Sequence, residues 1–276
     1  VVARRAGGAS LLRIEDIDAP RIVAGAEQRI EEDLQWLGLD WDCVPVRQSE
    51  RFALYEAAIE RLRSVGLVYE CDCSRAEIAR AASAPHGSED AVYPGACRHR
   101  DPARAMKRPP ALRVRVPDVT VTYEDGVFGA VSQALGRDVG DFVVRRGDGV
   151  FAYQLAVVVD DLAMKVTDVV RGADLIPSTP RQIWLARTLG GEPPRYAHVP
   201  LVVTADDARL EKRTPASTIR ELRAAGVAPE RIVGVLAHGL GVAAHAAPKT
   251  AREVARASAD CELRWSRASF RVPADW

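Results

Sequence analysis

Three thiols in a stretch that cannot hold itself together constrain this chain more than any other feature. Cys71-x-Cys73 and Cys97 bracket a segment broken by Pro85, Gly87, Pro94 and Gly95, with Pro109 and Pro110 just beyond. Such punctuation stops any long helix or strand. Residues 74–110 therefore read as loop and bury little apolar surface of their own. One structural zinc ion answers that problem, because four ligands in a closed tetrahedron tie down a small insertion without a large core. A disulfide framework fits less well. The five cysteines are an odd number, and the first ten residues carry arginines but no apolar leader. A cytoplasmic setting with reduced thiols is the expectation. Spacing leaves the fourth ligand open among Tyr93, His99 and His86, and three unrelated buried thiols are the alternative to a metal. Cys43 and Cys261 read as packing residues.

Around this segment the pattern alternates between strand and helix. Residues 10–14 read as a short strand running into the acidic turn Glu15-Asp16-Ile17-Asp18. Residues 26–37 repeat Ile30, Leu34 and Leu37 at helical spacing, and Phe52, Tyr55, Ile59 and Leu62 do the same behind a candidate Ser49 cap. Residues 68–70 lead into the thiol-rich stretch, and 112–116, 119–123, 141–145, 168–170 and 199–203 read as strands. Leu155, Val158, Val159 and Leu162 fit a helical face despite their β-branched neighbours. Residues 179–189 read as a helix. Thr218-x-x-Glu221 is a capping box, and Pro229 suits the first turn of a further helix. Alternation of this kind predicts an α/β fold with a parallel sheet. The expected division is 1–70 as the first part of the core and 71–140 as the zinc-binding insertion. Residues 141–215 would be the second part of the core, and 216–276 a helical C-terminal segment.

Charge excludes one class of function. Lys plus Arg and Asp plus Glu are both 38, so no bulk positive charge holds a polyanion. A local basic patch is still allowed. No apolar run reaches the roughly 20 residues of a membrane span, so no membrane partner is expected. A monomer is the working expectation.

Two positions stand out beyond the thiols. In open α/β sheets ligands sit past the carboxyl ends of strands, and both Glu15 and Arg171 fall at such ends. A carboxylate there can hold an ammonium group; a guanidinium can grip a carboxylate with two parallel hydrogen bonds. A solvated acidic turn is the plainer reading of Glu15, and a structural pair with Asp161 or Asp174 the plainer reading of Arg171. His198 before Pro200 reads as structural, and His238 as a helix end.

Three segments together carry a resemblance: LLRIEDIDAPR at 11–21, FAYQLAVVVDD at 151–161 and DVVRGADLIPSTPRQIWL at 168–185. They resemble the class I glutamyl-tRNA synthetase superfamily through most of residues 10–215. Within it the chain looks most like the short branch that lacks an anticodon-binding domain and glutamylates queuosine in tRNA(Asp). Three features point there: the run at 151–161, the thiol pattern followed by Tyr93-x-x-x-Cys97, and the short stretch after residue 213. The resemblance implies a Rossmann-type nucleotide-binding core. It implies glutamate, ATP with Mg2+, and tRNA(Asp) bearing queuosine as partners, with one structural Zn2+. It implies that Glu15 meets the α-ammonium of glutamate and that Tyr153 and Arg171 hold its carboxylates. Cys71, Cys73, Tyr93 and Cys97 would bind zinc, with His99 as the competitor to Tyr93. Lys212 would meet the ATP phosphates as the catalytic lysine. The helices at 218–258 would face the anticodon arm.

The chain also departs from that pattern. Where a KMSKS-like motif is expected it reads Arg209-Leu210-Glu211-Lys212-Arg213, placing the Glu211 carboxylate beside a polyphosphate. A HIGH-like motif and the first strand should precede Arg13, yet only twelve residues do so, and the first is Val1 rather than Met. These points lead to an expectation of a truncated N-terminus and of weak glutamate activation by the chain as written. The alternatives are the catalytic body of a glutamyl-tRNA synthetase and a non-catalytic, zinc-stabilised RNA-binding remnant.

Overall fold

A computed structural model describes residues 1–18, 22–81, 92–101, 103–203, 218–258, 265–271 and 273. The elements in chain order are α1 (Val2–Arg5), β1 (Arg13–Ile14), α2 (Ala26–Trp36), β2 (Val46–Arg47), α3 (Phe52–Ser64), β3 (Val68–Cys71) and α4 (Arg75–Ala81). They continue with β4 (Ala111–Val114), β5 (Thr120–Asp125), β6 (Gly129–Ala134), α5 (Leu135–Asp138), β7 (Phe142–Arg145), α6 (Tyr153–Ala163) and β8 (Asp168–Gly172). The last are α7 (Thr179–Thr188), β9 (Arg195–Val199), β10 (Val202–Val203), α8 (Ile219–Ala224), α9 (Pro229–Gly239), α10 (Ala251–Ala257) and β11 (Phe270–Arg271).

The larger sheet runs β6-β5-β9-β8. Its β5, β9 and β8 are parallel, as the α/β pattern predicts, and β6 joins the edge as an antiparallel hairpin partner of β5. Strand β6 was not evident beforehand, because GAVSQA is poor in the β-branched and aromatic residues that mark strands. The turn before it is built by Asp125, whose Oδ1 accepts from the N–H groups of Val127 (3.0 Å) and Phe128 (2.9 Å). A second, antiparallel sheet runs β3-β4-β7. Residues 71–140 thus contribute strands to both sheets, and positions 71 and 140 fall beside strands that share one sheet.

The main core lies between α3, α6, α7 and these sheets, where Tyr55, Ile59, Leu62, Leu155 and Leu185 are completely buried. Helix α6 forms in spite of Val157, Val158 and Val159, which disfavour helix through their stiff side chains. All three are buried, and packing outweighs a local cost of a few tenths of a kcal/mol each. Ser49 does not cap α3. Arg51 holds that position, and the Ser49 backbone N–H and hydroxyl go to Asp16 at 2.8 and 2.5 Å. The strand expected at 199–203 is divided: β9 ends at Val199, before Pro200, whose ring removes a ladder donor. The capping box at Thr218 and Glu221 forms as expected. Leu37, Leu222 and Ile232 join α8 and α9 to the first part of the chain. In α9 Gly234 is required by close approach, since a Cβ there would sit 2.0 Å from the Ala247 carbonyl oxygen. Cys43 is exposed rather than packed, and Cys261 lies outside the described residues. Among the described residues no helix is long and apolar enough to cross a membrane.

Candidate functional site

Parallel pairing at the carboxyl ends of three strands assembles the first site. Arg171 in β8 lies directly opposite His198 in β9, and Asp125, the last residue of β5, pairs with Tyr196 of β9. Residues two apart on a strand share a face, so His198 turns to the same side as Tyr196 and meets Asp125. The His198 Nδ1 to Asp125 Oδ2 distance is 2.5 Å, with both side chains fully buried. Helix α6 brings Tyr153 from its first turn, and α7 brings Thr179 and Gln182, three residues apart on one helical face.

Arg171 sits at the centre. Its Nε donates to His198 Nε2 (3.2 Å), and its Nη2 to Thr179 Oγ1 and Gln182 Oε1 (both 2.7 Å). Its Nη1 has only a 3.5 Å contact to the Tyr153 hydroxyl among the described residues. Gln182 is fixed in turn by Gln154, and Gln154 by Ser178. Every one of these partners is neutral. The plainer reading, a structural pair with Asp161 or Asp174, is not what the hydrogen bonds of Arg171 form. A half-buried cation whose contacts are all neutral is poised for an anion.

Glu15 follows β1 with 49 % of its side chain exposed, within electrostatic reach of Arg171. Partial burial pushes its carboxyl above the ordinary range; Arg13 pulls the other way, Asp161 and Asp160 add to the rise, and Arg171 opposes it. Behind Glu15 lies a buried ionic group. Asp160 of α6 accepts from Arg51 (2.6 Å), Gln48 (2.8 Å) and Tyr55 (2.8 Å), and Asp161 accepts from Arg13 (2.7 Å). Tyr153 and Asp160 are two helical turns apart, so α6 serves both groups from one side. The pocket therefore offers a cation edge at Arg171 and a carboxylate at Glu15, a pattern complementary to an amino acid.

The second site is the thiol cluster. The sulfurs of Cys71, Cys73 and Cys97 all lie within 4.8 Å of one another, and Cys73 to Cys97 is 3.5 Å. Tetrahedral zinc with sulfur ligands requires S···S spacings of about 3.8 Å. The Tyr93 hydroxyl lies 3.4 Å from Cys71 Sγ and 3.7 Å from Cys73 Sγ, and accepts the Cys97 N–H at 2.8 Å. His99 is exposed, and His86 lies outside the described residues. Tyr93 is held by a bridge to Gly140, whose φ of +65° places it in the left-handed region glycine tolerates. Arg113 stacks 3.9 Å over the Tyr93 ring. Between the first two thiols, Asp72 is buried and accepts from Arg104 (2.6 Å) and the Lys107 N–H (2.9 Å), which anchors the loop beyond Cys97. Burial pushes the Cys73 thiol up to about 12. Burial also raises the Tyr93 hydroxyl, with its hydrogen bond to Cys71 adding to this. A soft divalent cation reverses that protonation, since coordinated thiols give up their protons.

Lys212, with Arg209, Glu211 and Arg213, lies outside the described residues. Of the expected glutamate residues, Arg171 and Tyr153 come within 3.5 Å, and Glu15 lies within electrostatic reach of both; the grouping of Asp125, His198, Thr179 and Gln182 behind Arg171 was not read from the sequence, where His198 stood only as structural. The available signal was the run RYAHV, in which a histidine takes a position of the buried alternation.

Comparison with known proteins was made against this geometry. A family model described as tRNA synthetases class I (E and Q), catalytic domain, matches residues 1–270. The Glutamyl-Q tRNA(Asp) synthetase of Nitratidesulfovibrio vulgaris is 47 % identical over 268 residues, covering 92 % of this chain and 82 % of that protein. The protein of the same name from Nocardia farcinica is 51 % identical over 248 residues, covering 87 % and 76 %. Among solved structures, the glutamate tRNA ligase of Elizabethkingia meningosepticum in complex with its amino acid superposes with a TM-score of 0.81 at 25 % identity. The glutamate-tRNA synthetase of Elizabethkingia anophelis gives 0.82 at 25 %. Both cover 99 % of this chain, which spans 62 % and 63 % of theirs.

Proposed function

The chain belongs to the catalytic-domain family of the class I glutamyl- and glutaminyl-tRNA synthetases, and on that premise we propose that it activates glutamate with ATP and transfers the glutamyl group to queuosine at the wobble position of tRNA(Asp). The observation that carries this reading is the Arg171 guanidinium, pinned by neutral partners on two edges and, among the described residues, open on the Nη1 edge beside Tyr153. The identity of 47–51 % to relatives named for this reaction supports the tRNA substrate. A tRNA substrate supports a cytoplasmic setting.

In the first step a glutamate carboxylate oxygen attacks the α-phosphorus of ATP and pyrophosphate leaves. In the second the cyclopentene ring of queuosine takes the glutamyl group and AMP leaves. Neither step needs much side-chain proton transfer, so positioning and charge neutralisation dominate. Arg171 and Tyr153 hold glutamate carboxylate oxygens. Glu15 receives the α-ammonium. Arg13, fixed by Asp161 at 2.7 Å, keeps the mouth of the pocket ordered. Lys212 neutralises ATP phosphate charge, with Mg2+ accompanying the nucleotide. Cys71, Cys73, Cys97 and Tyr93 fit a structural zinc, and bound zinc would tie β3 to the turn at Cys97. Residues 71–140 carry this cluster, and residues 216–276 supply helices toward the tRNA.

Glutamate-dependent pyrophosphate exchange, with and without tRNA, tests the reading. The expected result is exchange without tRNA and glutamyl transfer only to tRNA(Asp) that bears queuosine. Exchange that requires tRNA, or transfer to tRNA lacking queuosine, would replace it with a tRNA-charging activity.

A further inference from the structure

We propose that Asp125 and His198 form a positioning relay that aims the Arg171 guanidinium at its carboxylate ligand by fixing the His198 ring in one tautomer. The inference rests on the reading of Arg171 as the partner of a glutamate carboxylate.

Hydrogen-bond bookkeeping leaves one arrangement. Arginine only donates, so the 3.2 Å contact from Arg171 Nε requires His198 Nε2 to accept. A neutral imidazole then carries its proton on Nδ1, where Asp125 Oδ2 receives it at 2.5 Å. The other neighbour of Nε2 is the Thr179 hydroxyl at 3.1 Å, and it makes no competing demand. It accepts from Arg171 Nη2 and donates to the Leu175 carbonyl at 3.2 Å. Burial holds His198 below its ordinary pKa, against the opposing pull of Asp125, which favours the neutral ring.

Asp125 is itself fixed. Its Oδ1 accepts three backbone N–H groups, those of Val127, Phe128 and His198, at 3.0, 2.9 and 3.2 Å. Only Oδ2 is left for the histidine. The chain of contacts therefore runs from a turn in β5, through a ring in β9, to a guanidinium in β8.

The relay has a chemical purpose that a direct Asp–Arg pair would defeat. A carboxylate on Arg171 would satisfy its charge and compete with the substrate. A neutral imidazole fixes the Nε edge and leaves the positive charge available at Nη1. Asp125 sets the geometry from one residue further away.

The side chain of Asp125 makes a sharp test possible. In Asp125→Asn the carbonyl oxygen stays with its three backbone donors, so the new NH2 faces His198 Nδ1. The ring must then accept at Nδ1 and carry its proton on Nε2, opposing the Arg171 Nε–H, donor against donor. The experiment combines 15N NMR of the imidazole nitrogens with calorimetric titration of glutamate and of ATP. Wild-type His198 is expected to show a protonated Nδ1. Asp125→Asn is expected to move the proton to Nε2 and weaken glutamate roughly tenfold, the worth of about one misdirected hydrogen bond, with ATP affinity unchanged. His198→Gln, whose side-chain oxygen can accept at the Nε2 position, is expected to stay near wild type, and His198→Leu to fall with Asp125→Asn. The histidine pair keeps the test decisive if Asp125→Asn fails to fold. A wild-type ring protonated at Nε2, or equal glutamate affinity in His198→Gln and His198→Leu, overturns the relay. Arg171→Ala separates the two levels. If it weakens glutamate while Asp125→Asn does not, the relay alone falls; if it leaves glutamate unchanged, the relay falls with the reading beneath it.

Discussion

The pocket around Arg171 and the cluster around Cys71 are both buried polar constellations, but they are completed in opposite ways. In the cluster the donors converge on one another: three sulfurs and a phenol oxygen crowd into a space of one ion's dimensions, and Asp72, Arg104 and Arg113 close it from outside. Around Arg171 the described residues pin a cation on two edges with neutral groups and leave the third edge open among themselves. One region is organised for permanence and the other for exchange. The difference teaches which measurement each region should move: stability for the first, substrate binding for the second.

Arg171→Ala gives the largest expected effect and the clearest way to break that contrast. Removing one partner of a desolvated charge pair costs about 4 kcal/mol, or roughly a thousandfold in kcat/KM for glutamate. Folding stability should fall by less, about 1–3 kcal/mol, because the buried His198, Thr179 and Gln182 lose a donor while no carboxylate in the free protein is hydrogen-bonded to this guanidinium among the described residues. Pyrophosphate exchange beside a thermal melt checks both halves. A large fall in Tm with intact glutamate kinetics would put Arg171 among the structural charges.

Asp160→Asn should do the reverse. The Asp160 carboxylate is completely buried beneath Arg51, Gln48 and Tyr55. Losing its charge strands Arg51 and leaves Arg13 with Asp161 and Glu15, a loss of about 3 kcal/mol of folding stability, read from denaturant unfolding. The thiol cluster, with the metal proposed for it, belongs on the same side. Stripping the metal with a chelator should cost a few kcal/mol, lowering Tm by roughly 5–10 °C, with glutamate affinity changed far less. Equal damage to both readouts would mean that the two regions share one cooperative structure. Tyr93→Phe sharpens the assignment of the fourth ligand. It should weaken zinc retention by roughly tenfold, measured by competition with a chromophoric chelator, while His99→Ala leaves it unchanged.

The two regions also differ in how far the sequence discloses them. The cluster is local: Cys71, Cys73, Tyr93 and Cys97 fall within one 27-residue stretch of sequence, and spacing with Pro and Gly punctuation suffices to suggest a metal. The pocket draws on β1, β5, α6, β8, α7 and β9. Glu15 and Arg171 stand out by their places at strand ends, where spacing alone left a solvated turn and a structural ion pair open, and the role of Tyr153 came through resemblance. His198 and Asp125 escaped because their meaning is a matter of register. Arg171 pairs with His198 across 27 residues, and Asp125 reaches His198 across 73. The sequence reading set the strand at 199–203, four residues past the start of β9, which hid the alternation that buries His198. Helices were more legible, since α2, α3, α7, α8 and α9 follow apolar spacing, caps or a first-turn proline. Strand β6 was not, because its place depends on the Asp125 turn and on β5 rather than on its own composition.

The smallest expected effect is a pH dependence that separates His198 from the rest of the pocket. Its folded pKa lies below the unfolded value of 6.5, chiefly through burial, with the Asp125 hydrogen bond opposing. Between those two values the unfolded chain holds a proton that the folded chain does not. Stability therefore rises with pH through that window. It is fully present above 6.5 and is lost progressively as the pH falls toward the folded pKa. One group sets a slope of at most about 1.4 kcal/mol per pH unit. Asp125 acts lower down. Its folded pKa is depressed, with burial outweighed by the hydrogen bonds from His198 and the backbone, so its contribution is present above 3.8 and fades below. Urea unfolding of wild type and His198→Gln at stepped pH should show the slope just below 6.5 in wild type alone. A slope that survives in His198→Gln would assign it to another group. It would also remove the pocket's claim to a buried neutral imidazole, and with it the reason the Arg171 charge stays free for a ligand.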